Sequence, residues 1–334
     1  MMYTVATHLV EVKTQQTFAS FLEDHLFRPL GMNSSSLQPS AAIGKGYGDR
    51  MANGHIWDEK SASYKHITHQ ECPEGQGAGS VITSSNDFAK LMSALLNRTG
   101  SPISNRVYQG TVRMRSFRNP NPAKVKAYTS PSFYAAGVEV YYYRGHAVIG
   151  HDGNITGFGS RFFMLPDFNF GAVILGNSSG AASVAGIIAR ELTDKVLQVP
   201  EAERPPRTIG SGREKASKDQ KSDPGGQSTS QESSWPLHAY LGKYWHPGYH
   251  YMTVEVKDGK LFIDANDRSL GFTLTLYHNR DGTKYKADLF DSLESGVVDS
   301  IDAEFILEGG VAVKLGLDLE PSLKYLVWFS RIRS

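Results

Sequence analysis

The fold of this chain is decided by one stretch, Val148-Ile149-Gly150-His151-Asp152-Gly153-Asn154-Ile155-Thr156-Gly157-Phe158-Gly159-Ser160. An apolar run leads to His151, and glycines recur in the residues around and after it. Such glycines permit positive φ and the close approach of another backbone or a ligand. A second apolar run, Phe162-Phe163-Met164-Leu165, stops at Pro166. The pattern predicts two strands joined by an exposed polar turn, which presents His151 and backbone N–H groups to a cleft.

The regions on both sides of this stretch have the alternation of an antiparallel meander, with helical periodicity before and after it. The predicted strands are Phe133–Tyr143, His146–Ile149, Arg161–Leu165 and Phe170–Leu175. Four helices are predicted. The first carries Val5, Leu9 and Val12, and the second starts at Thr17. The third runs from Ser84 or Ser85 to Asn97, and the fourth covers Ala181–Leu197. Residues 33–80 lack a clear period, and we predict long loops with short elements there. Together these elements predict an α+β domain.

The composition changes after residue 199. Residues 200–234 contain no aromatic residue and are rich in Pro, Lys, Ser, Asp, Gly and Gln, so we predict a flexible linker. From Trp235 onward, short alternating runs are separated by glycine-containing turns. These runs are Tyr251–Val256, Lys260–Ile263, Phe272–Tyr277, Tyr285–Phe290, Ala303–Leu307, Val311–Leu317 and Tyr325–Phe329. Their spacing predicts a small closed barrel or a sandwich.

The composition also argues against several classes of function. The chain has 334 residues and a formal net charge of +1, which favours neither nucleic acid nor a membrane surface as a partner. No run approaches the roughly 20 apolar residues that span a bilayer, and the N-terminus has no signal-peptide pattern. Cys72 is the only cysteine, so no disulfide forms within the chain. We therefore expect a soluble protein, cytoplasmic for the chain as given, without nucleic-acid or membrane partners.

Four segments together resemble the serine β-lactamase-like hydrolases, which include class C β-lactamases, penicillin-binding-protein-like peptidases, D-aminopeptidases, esterases and lovastatin-type acyltransferases. Glu23-Asp24-His25-Leu26-Phe27-Arg28-Pro29-Leu30-Gly31-Met32 is similar to their Phe-x-Pro-Leu-Gly-Met segment. Residues 77–88 resemble their glycine loop before a capped helix. His151-Asp152-Gly153 resembles their third motif, Lys-Thr-Gly or His-x-Gly. Residues 235–333 resemble the lipocalin-like domain that is appended to many of these peptidases.

The resemblance implies a fold and a division of the chain. The fold would be α+β, formed by the C-terminal portion of a β-lactamase-like antiparallel sheet with flanking helices, followed by a small all-β lipocalin-like barrel. The expected boundaries are 1–199 for the β-lactamase-related domain, 200–234 for the linker and 235–333 for the barrel. In the family the sheet also takes two strands from an N-terminal part. Without them, Phe170–Leu175 would become an uncovered apolar edge.

The resemblance also implies acyl-serine chemistry on an amide, peptide or ester, with no metal and no organic cofactor. Its substrate would be a small molecule or a peptide. His151, Gly153 and Asn154 would bind this substrate. His151 would face the substrate, and the backbone N–H of Asn154 would form half of an oxyanion hole. The barrel domain would shape access to the site or support homo-oligomer contacts.

The sequence departs from the family in its catalytic motifs. None of its lysines has a serine three positions before it, so the Ser-x-x-Lys motif is absent. Tyr277-His278-Asn279 is the only Tyr-x-Asn, and it belongs to the predicted barrel. Ser84-Ser85-Asn86 is better explained as a helix cap. We therefore predict no catalytic residue in this chain, and interpret it as an inactive or N-terminally truncated form. A non-catalytic ligand-binding or regulatory protein and an acyltransferase remain as alternatives.

Two further motifs suggest rival sites. Gly176-Asn177-Ser178-Ser179-Gly180 matches Gly-x-Ser-x-Gly, the nucleophile turn of α/β-hydrolases, but a meander precedes it where that fold needs parallel strands. His66, His69 and Cys72 are possible zinc ligands on one loop, although no fourth group at suitable spacing is evident. We interpret both sets as polar loop residues.

Overall fold

A computed structural model describes residues 2–58, 61–98, 100–118, 125–205, 235–269, 271–278, 282–291, 298–320 and 323–332. The chain divides into two compact units, Met1–Gln220 and Lys221–Ser334. The segment predicted as a linker lies outside the described residues from position 206 to 234. Among the helices that the structure describes, none is both long enough and apolar enough to cross a membrane.

The N-terminal unit combines helices with antiparallel strands. Its helices are α1 (Met2–Thr14), α2 (Phe18–Leu22), α3 (Pro39–Gly44), α4 (Ser85–Asn97), α5 (Asn105–Val112) and α6 (Ala181–Val196). Its strands are β1 (Ser36–Leu37), β2 (Gly54–Asp58), β3 (Ser63–Ile67), β4 (Val81–Ile82), β5 (Ser116–Phe117), β6 (Phe133–Tyr134), β7 (Glu139–Tyr143), β8 (His146–Ile155), β9 (Phe158–Leu165) and β10 (Phe170–Gly176). The region predicted as long loops thus contains α3 and the hairpin of β2 and β3.

The main sheet of this unit has the order β10-β9-β8-β7-β6-β5, and all its neighbouring strands are antiparallel. Helix α4 packs on one face, where Met92 and Val173 share an apolar cluster. Helix α6 packs on the other, where Ala189 meets Phe163 and Ile174. The predicted α+β arrangement, with helices flanking an antiparallel sheet, is confirmed.

The connection between β8 and β9 is shorter than the sequence pattern predicts. The ladder continues from Ile149 opposite Met164 to Ile155 opposite Phe158, so the turn is reduced to Thr156 and Gly157. Gly157 has a φ of +77°, a conformation that favours glycine. His151 therefore lies on a strand and not in a turn, because β9 pairs with the whole glycine-containing stretch.

Strand β10 lies at the edge of this sheet, as the sequence predicts. In the described part of the chain it pairs with β9 alone, and its residues carry no charge and no proline. Charged side chains and prolines are the usual protection of an exposed edge. Its faces are covered by α4 and α6, but the Leu175 side chain remains 42% exposed. Within the described residues, this edge has none of these protections against pairing with another extended segment.

Helix α1 is oriented with its apolar stripe outward. Val5, Leu9 and Val12, the residues whose spacing predicts the helix, are 58%, 56% and 51% exposed. The inward side carries Thr7, which is buried and donates its hydroxyl to the Thr4 carbonyl oxygen at 2.8 Å. The periodicity therefore identifies the helix correctly, but the side that it marks as apolar is not the side that packs on the unit.

A buried carboxylate joins α4 to the segment after Pro29-Leu30-Gly31-Met32. Asp87 Oδ2 accepts the Ser34 N–H at 2.6 Å and the Ser35 hydroxyl at 3.0 Å. Lys90 Nζ donates to Asp87 Oδ1 at 2.9 Å and also to the Gly31 carbonyl oxygen. At the start of the helix, Ser84 Oγ accepts the Asp87 N–H at 3.2 Å, which confirms the predicted cap.

The C-terminal unit is a closed barrel of eight antiparallel strands in chain order, which confirms the predicted barrel. Its strands are β11 (Gly242–His246), β12 (His250–Lys257), β13 (Lys260–Ala265), β14 (Phe272–His278), β15 (Lys284–Asp291), β16 (Asp299–Glu308), β17 (Val311–Leu317) and β18 (Val327–Arg331). All seven predicted runs are strands, and β11 is additional. The barrel closes where β11 meets β18, through two residue pairs, Tyr244 with Arg331 and Trp245 with Ser330.

Side chains fill the interior of the barrel. The buried cluster includes four large aromatic residues that contact one another, namely Tyr240, Tyr244, Tyr285 and Phe305, and it also includes Phe329. Small closed barrels of eight strands are commonly packed in this way, although some hold one small ligand. The alternative of a ligand-binding barrel therefore finds no support in the packing of these residues.

The barrel should lose stability at alkaline pH because of Tyr244. Burial raises the pKa of this fully buried phenol to about 12, although Arg331 opposes the shift. The unfolded chain loses the proton near pH 10, whereas the folded barrel retains it until about pH 12. The contribution of Tyr244 to stability is therefore complete below pH 10 and is lost as the pH rises to 12, by about 2–3 kcal/mol. Urea denaturation at pH 9 and pH 11.5 measures this loss.

The matched variants are Tyr244→Phe and Tyr251→Phe. Tyr251 lies on β12 and is 51% exposed. We expect Tyr244→Phe to reduce the fall in stability between the two pH values, although it also removes the hydrogen bond that Tyr244 donates to the Tyr240 carbonyl at 2.7 Å. Tyr251→Phe should leave that fall unchanged. An equal fall in both variants would show that Tyr244 is not its cause.

Candidate functional site

The candidate site lies where β8 extends past its neighbour β7. The pairing of the two strands begins at Tyr143 with His146 and ends at Glu139 with Gly150. Beyond this point, residues 151–155 of β8 are paired with β9 only, within the part of the chain that the structure describes. One edge of the strand is therefore open from His151 onward. Apart from the Asp152 carbonyl, which His151 Nδ1 contacts, the backbone groups on that side are available to a ligand.

His151 is held in one orientation by two hydrogen bonds. Its Nδ1 lies 2.6 Å from the Asp152 carbonyl oxygen, which can only accept, so Nδ1 carries the proton. The Nε2 atom then accepts the hydroxyl of Tyr134 at 3.2 Å, and the two rings meet edge to face. The His151 ring is half-buried and has both nitrogens engaged.

Two tyrosines in this site were not identified from the sequence. Burial and a hydrogen bond with Tyr3 raise the pKa of Tyr134. Tyr3 lies in the first turn of α1. Tyr134 lies on β6, which is two strands away from β8, the strand of His151, in the sheet. No local pattern connects residues 3, 134 and 151, because their proximity depends on the tertiary fold. The sequence shows only that one tyrosine lies at the start of α1 and another within the predicted strand Phe133–Tyr143. It does not indicate that either one is near His151.

The glycine loop before α4 lies against the start of α1. A Cβ atom on Gly77 would lie 2.4 Å from the Tyr3 carbonyl oxygen, so only glycine allows this approach. Because Tyr3 is hydrogen-bonded to Tyr134, this close contact places the glycine loop beside Tyr3, Tyr134 and His151. The loop predicted from residues 77–88 therefore borders the candidate site.

Gly153 and Asn154 follow His151 on the strand with different orientations. Gly153 lies opposite Ser160, and a Cβ atom there would be 2.3 Å from Ser160 Oγ. The Asn154 side chain is exposed and, by the alternation of the strand, points to the opposite side from His151 and Gly153. Asp152 shares that side and forms an ion pair with Arg161 at 3.0 Å. Asn154 can therefore act in the site through its backbone.

One groove of this unit lies away from the open edge of β8. Its volume is about 210 Å³, and it is lined by residues of α4 and β10 together with Asn169. None of His151, Gly153 or Asn154 contributes to its wall. The chemical groups at the open edge of β8, and not this groove, therefore define the candidate site.

The Gly-x-Ser-x-Gly segment has a structural role. It follows the antiparallel strand β10, and it is hydrogen-bonded to the hairpin of β2 and β3 and to the residue before it. Asn177 Nδ2 donates to the Asn53 carbonyl at 2.9 Å, and the Ser179 N–H donates to the His55 carbonyl at 2.9 Å. Ser178 Oγ accepts the Gly180 N–H at 3.4 Å. This geometry supports the interpretation as polar loop residues.

The suggested zinc ligands do not form a group. His66 lies on β3, whereas His69 Nε2 is 2.8 Å from the Ala52 carbonyl oxygen. Cys72 is a free thiol. In the described residues, no cluster of three or more His, Cys, Asp or Glu side chains could hold a metal ion. Asn279 of the accidental Tyr-x-Asn lies outside the described residues, and its Tyr277 is on strand β14 of the barrel.

Comparisons with known proteins find two family models that match different parts of the chain. A family model described as Beta-lactamase matches residues 1–197, and one described as a domain of unknown function (DUF3471) matches residues 227–331. The Unguisins hydrolase ungD' of Aspergillus campestris (strain IBT 28561) is 28% identical over 287 residues, which cover 82% of this chain and 52% of the relative. The Unguisins hydrolase ungD of Aspergillus violaceofuscus (strain CBS 115571) is 27% identical over 369 residues, covering 99% and 62%.

This chain thus spans between about half and three-fifths of the length of these two relatives. Among solved structures, the octameric penicillin-binding protein homologue from Pyrococcus abyssi matches with a TM-score of 0.52 and 19% identity. The match covers 98% of this chain and 63% of the homologue. At this identity the likeness concerns the fold alone.

Proposed function

Since the chain belongs to the Beta-lactamase family, we propose that residues 151–154 form the substrate-anchoring wall of an amide, peptide or ester hydrolase that acts through an acyl-serine. His151 contacts the substrate, and Gly153, whose missing side chain leaves room for Ser160 Oγ, lines the wall next to it. The Asn154 N–H supplies one donor of an oxyanion hole. The substrate is a small molecule or a peptide, and the chemistry needs no metal and no organic cofactor.

The observation that carries this proposal is the open edge of β8 beside an oriented histidine. An extended amide can pair with such an edge through its own N–H and C=O groups, as in strand addition. The hydrogen bond from Tyr134 keeps the His151 ring in place before the ligand arrives, which lowers the entropic cost of binding. An exposed backbone N–H near this position can stabilise a developing oxyanion.

The chain contains no Ser-x-x-Lys, so we infer that it forms no acyl-enzyme by itself. We assign no catalytic residue to this chain, and we assign His151, Gly153 and Asn154 to the anchoring of the substrate. The name of the two curated relatives, Unguisins hydrolase, favours hydrolysis over transfer of the acyl group to another acceptor. Homo-oligomer contacts through the barrel remain a prediction for this chain.

The experiment uses the full chain, two acylation probes and one binding ligand. A fluorescent penicillin and a fluorophosphonate test acylation, and we expect no labelled serine with either. Benzylpenicillin, which carries amides and a carboxylate, tests anchoring in an NMR titration. We expect shifts at the His151 ring and at the Asn154 amide. His151→Ala should weaken this binding by about tenfold, or about 1.4 kcal/mol, since the ligand loses its contact with the ring and Tyr134 loses the acceptor that orients its hydroxyl.

His146→Ala is the matched control, because His146 lies at the other end of β8 and pairs with Asp167 at 2.9 Å. It should bind benzylpenicillin like the unmodified chain. Covalent labelling of any serine would refute the inference that no acyl-enzyme forms. Equal affinity of His151→Ala and His146→Ala would refute the anchoring role.

A further inference from the structure

Two histidines lie side by side on the hairpin of β2 and β3. His55 is directly opposite His66 in the register, and their ring centroids are 4.6 Å apart with a tilt of 58°. The next pair on the same face is Trp57 opposite Tyr64, and both of these rings are exposed. This face therefore presents two adjacent imidazoles to solvent, with aromatic rings next to them.

The other face of the hairpin is packed on the unit, so the pair is not on a free arm. Gly54 lies against Ile67 and Phe158 so closely that a Cβ atom would meet both within 2.8 Å. Ile67 is buried and also lies against Gly157, the turn between β8 and β9. The backbone that carries His55 and His66 is thus held by contacts with the unit, which reduces the entropy lost when both rings bind one ligand.

The orientation of the His55 ring is set by a backbone carbonyl. Its Nδ1 lies 2.9 Å from the Asn177 carbonyl oxygen, so Nδ1 donates its proton there. The lone pair of the ring is then on Nε2. Metal-binding histidines usually have this arrangement, in which the non-ligating nitrogen donates to a carbonyl or carboxylate and fixes the tautomer. The 3.4 Å approach of Asn177 Nδ2 to the same Nδ1 is longer and does not alter the assignment.

The separation of the rings fits a shared ion. Two imidazole nitrogens that bind one Zn²⁺ at 2.0–2.1 Å lie about 3 Å apart when they are adjacent ligands. Ring centroids 4.6 Å apart allow nitrogens at that separation after small rotations about the side-chain bonds. His66 is exposed, so its ring can rotate at low cost.

We propose that His55 and His66 form a solvent-open binding site for a divalent transition-metal ion. Imidazole ligands suit Cu²⁺, Ni²⁺ and Zn²⁺, and the general order of affinity places Cu²⁺ first. The described residues supply no third His, Cys, Asp or Glu ligand, so water completes the coordination. His69 and Cys72, which neighbour His66 in sequence, take no part. The site is separate from the acyl-serine chemistry proposed above, which uses no metal.

A bound ion would connect the two strands of the hairpin. The hairpin packs on Gly157 and Phe158, and β8 ends next to that turn, so the ion would stabilise the unit beside the open edge that carries His151. A ligand that binds only the folded chain stabilises it in proportion to the logarithm of its free concentration over Kd. Added metal should therefore raise the melting temperature of the intact chain and not that of the variants.

The test is a titration of the full chain with ZnCl₂, followed by long-range ¹H–¹⁵N NMR of the histidine rings. We expect one equivalent to shift Nε2 of His55 and a ring nitrogen of His66 together. His66→Ala and His55→Ala should each weaken binding at least about tenfold, because the loss of even an outer-shell partner of a ligand typically costs that much. His69→Ala should bind as the unmodified chain does. CuCl₂ gives an independent readout, because electron paramagnetic resonance reports coordinated nitrogens.

Two outcomes would overturn the proposal. In the first, Zn²⁺ leaves the His55 and His66 rings unshifted. In the second, His66→Ala retains the affinity of the unmodified chain, which would place the ion on other surface groups. Circular dichroism of each variant separates loss of a ligand from loss of folding. Because neither result depends on penicillin binding, the metal site and the anchoring wall can fail independently.

Discussion

Replacing Asp87 with alanine should lower the free energy of unfolding of the N-terminal unit by about 3 kcal/mol or more. Asp87 is 4% exposed, and its carboxylate accepts the Ser34 N–H and the Ser35 hydroxyl. Removing one partner of a buried charged pair typically costs about 3–5 kcal/mol. Lys90 is half exposed and can regain water, which places the loss near the lower limit. Urea denaturation followed by helical circular dichroism measures it, because the described α-helices all lie in this unit.

Two comparisons isolate the carboxylate. Lys90→Ala should cost less than Asp87→Ala, since it leaves the Ser34 and Ser35 donors paired. Asp87→Asn should lie between the two, because the amide oxygen can still accept one of these donors. If Asp87→Ala costs no more than Lys90→Ala, the connection between α4 and the Ser34–Ser35 segment does not depend on this carboxylate.

The Asp87 carboxylate also makes the stability of the N-terminal unit depend on pH in the acidic range. Burial tends to raise the pKa of Asp87, but hydrogen bonds from Lys90, Ser34 and Ser35 outweigh it, so the pKa is lowered from 3.8. The stabilising contribution is therefore complete above the unfolded-state pKa and is lost as the pH falls through the lower folded-state pKa. Asp87→Ala should lack this component of acid unfolding.

Replacing Gly159 with alanine should also destabilise the unit strongly, by about 3 kcal/mol. A Cβ atom on Gly159 would lie 2.1 Å from the Ala182 nitrogen and 2.8 Å from the Ala181 carbonyl carbon, at the start of α6. Both are backbone atoms, so relief requires α6 to move away from β9. Overpacking of a close contact typically costs about 1–3 kcal/mol, and a clash with backbone belongs at the upper end. Thermal denaturation of the purified variant provides the measurement.

Gly180→Ala is the control for this variant. Gly180 precedes α6, has a negative φ of −90°, and an added Cβ atom would find nothing within 4 Å. Its replacement should change the free energy of unfolding by no more than about 0.5 kcal/mol. A similar loss in the two variants would mean that alanine near this helix start is harmful for reasons other than the contact between Gly159 and α6.

Local sequence patterns were sufficient for the regular elements. The apolar alternation predicted the strands around His151 and seven of the barrel strands, and the Ser84 cap with its apolar stripe predicted α4. These features depend on neighbours in sequence. The extent of β8 was underestimated, because glycines usually indicate a turn, whereas here they allow close packing: Gly153 beside Ser160, and Gly159 beside α6.

The features that depend on distant residues could not be predicted. Tyr134 reaches His151 from β6, and Tyr3 reaches Tyr134 from α1. The outward orientation of the apolar stripe of α1 depends on the surface of the unit against which that helix packs. His55 and His66 are eleven positions apart in a region without periodicity, and only the hairpin register makes them neighbours. The sequence suggested His66 and His69 as possible ligands of one zinc ion, because they are only three residues apart in the chain.

The closure between β11 and β18 has a consequence for the motions of the barrel. Every other strand pair in the ring joins elements that follow each other in the chain, and β14 and β15 share seven residue pairs, whereas the closure has two. Opening a barrel locally requires the fewest broken backbone hydrogen bonds at such a junction. Amide protons of β11 and β18 should therefore exchange with solvent through a local opening that leaves β13 to β16 intact. We therefore expect the barrel to open first between β11 and β18, which would leave an eight-stranded sheet.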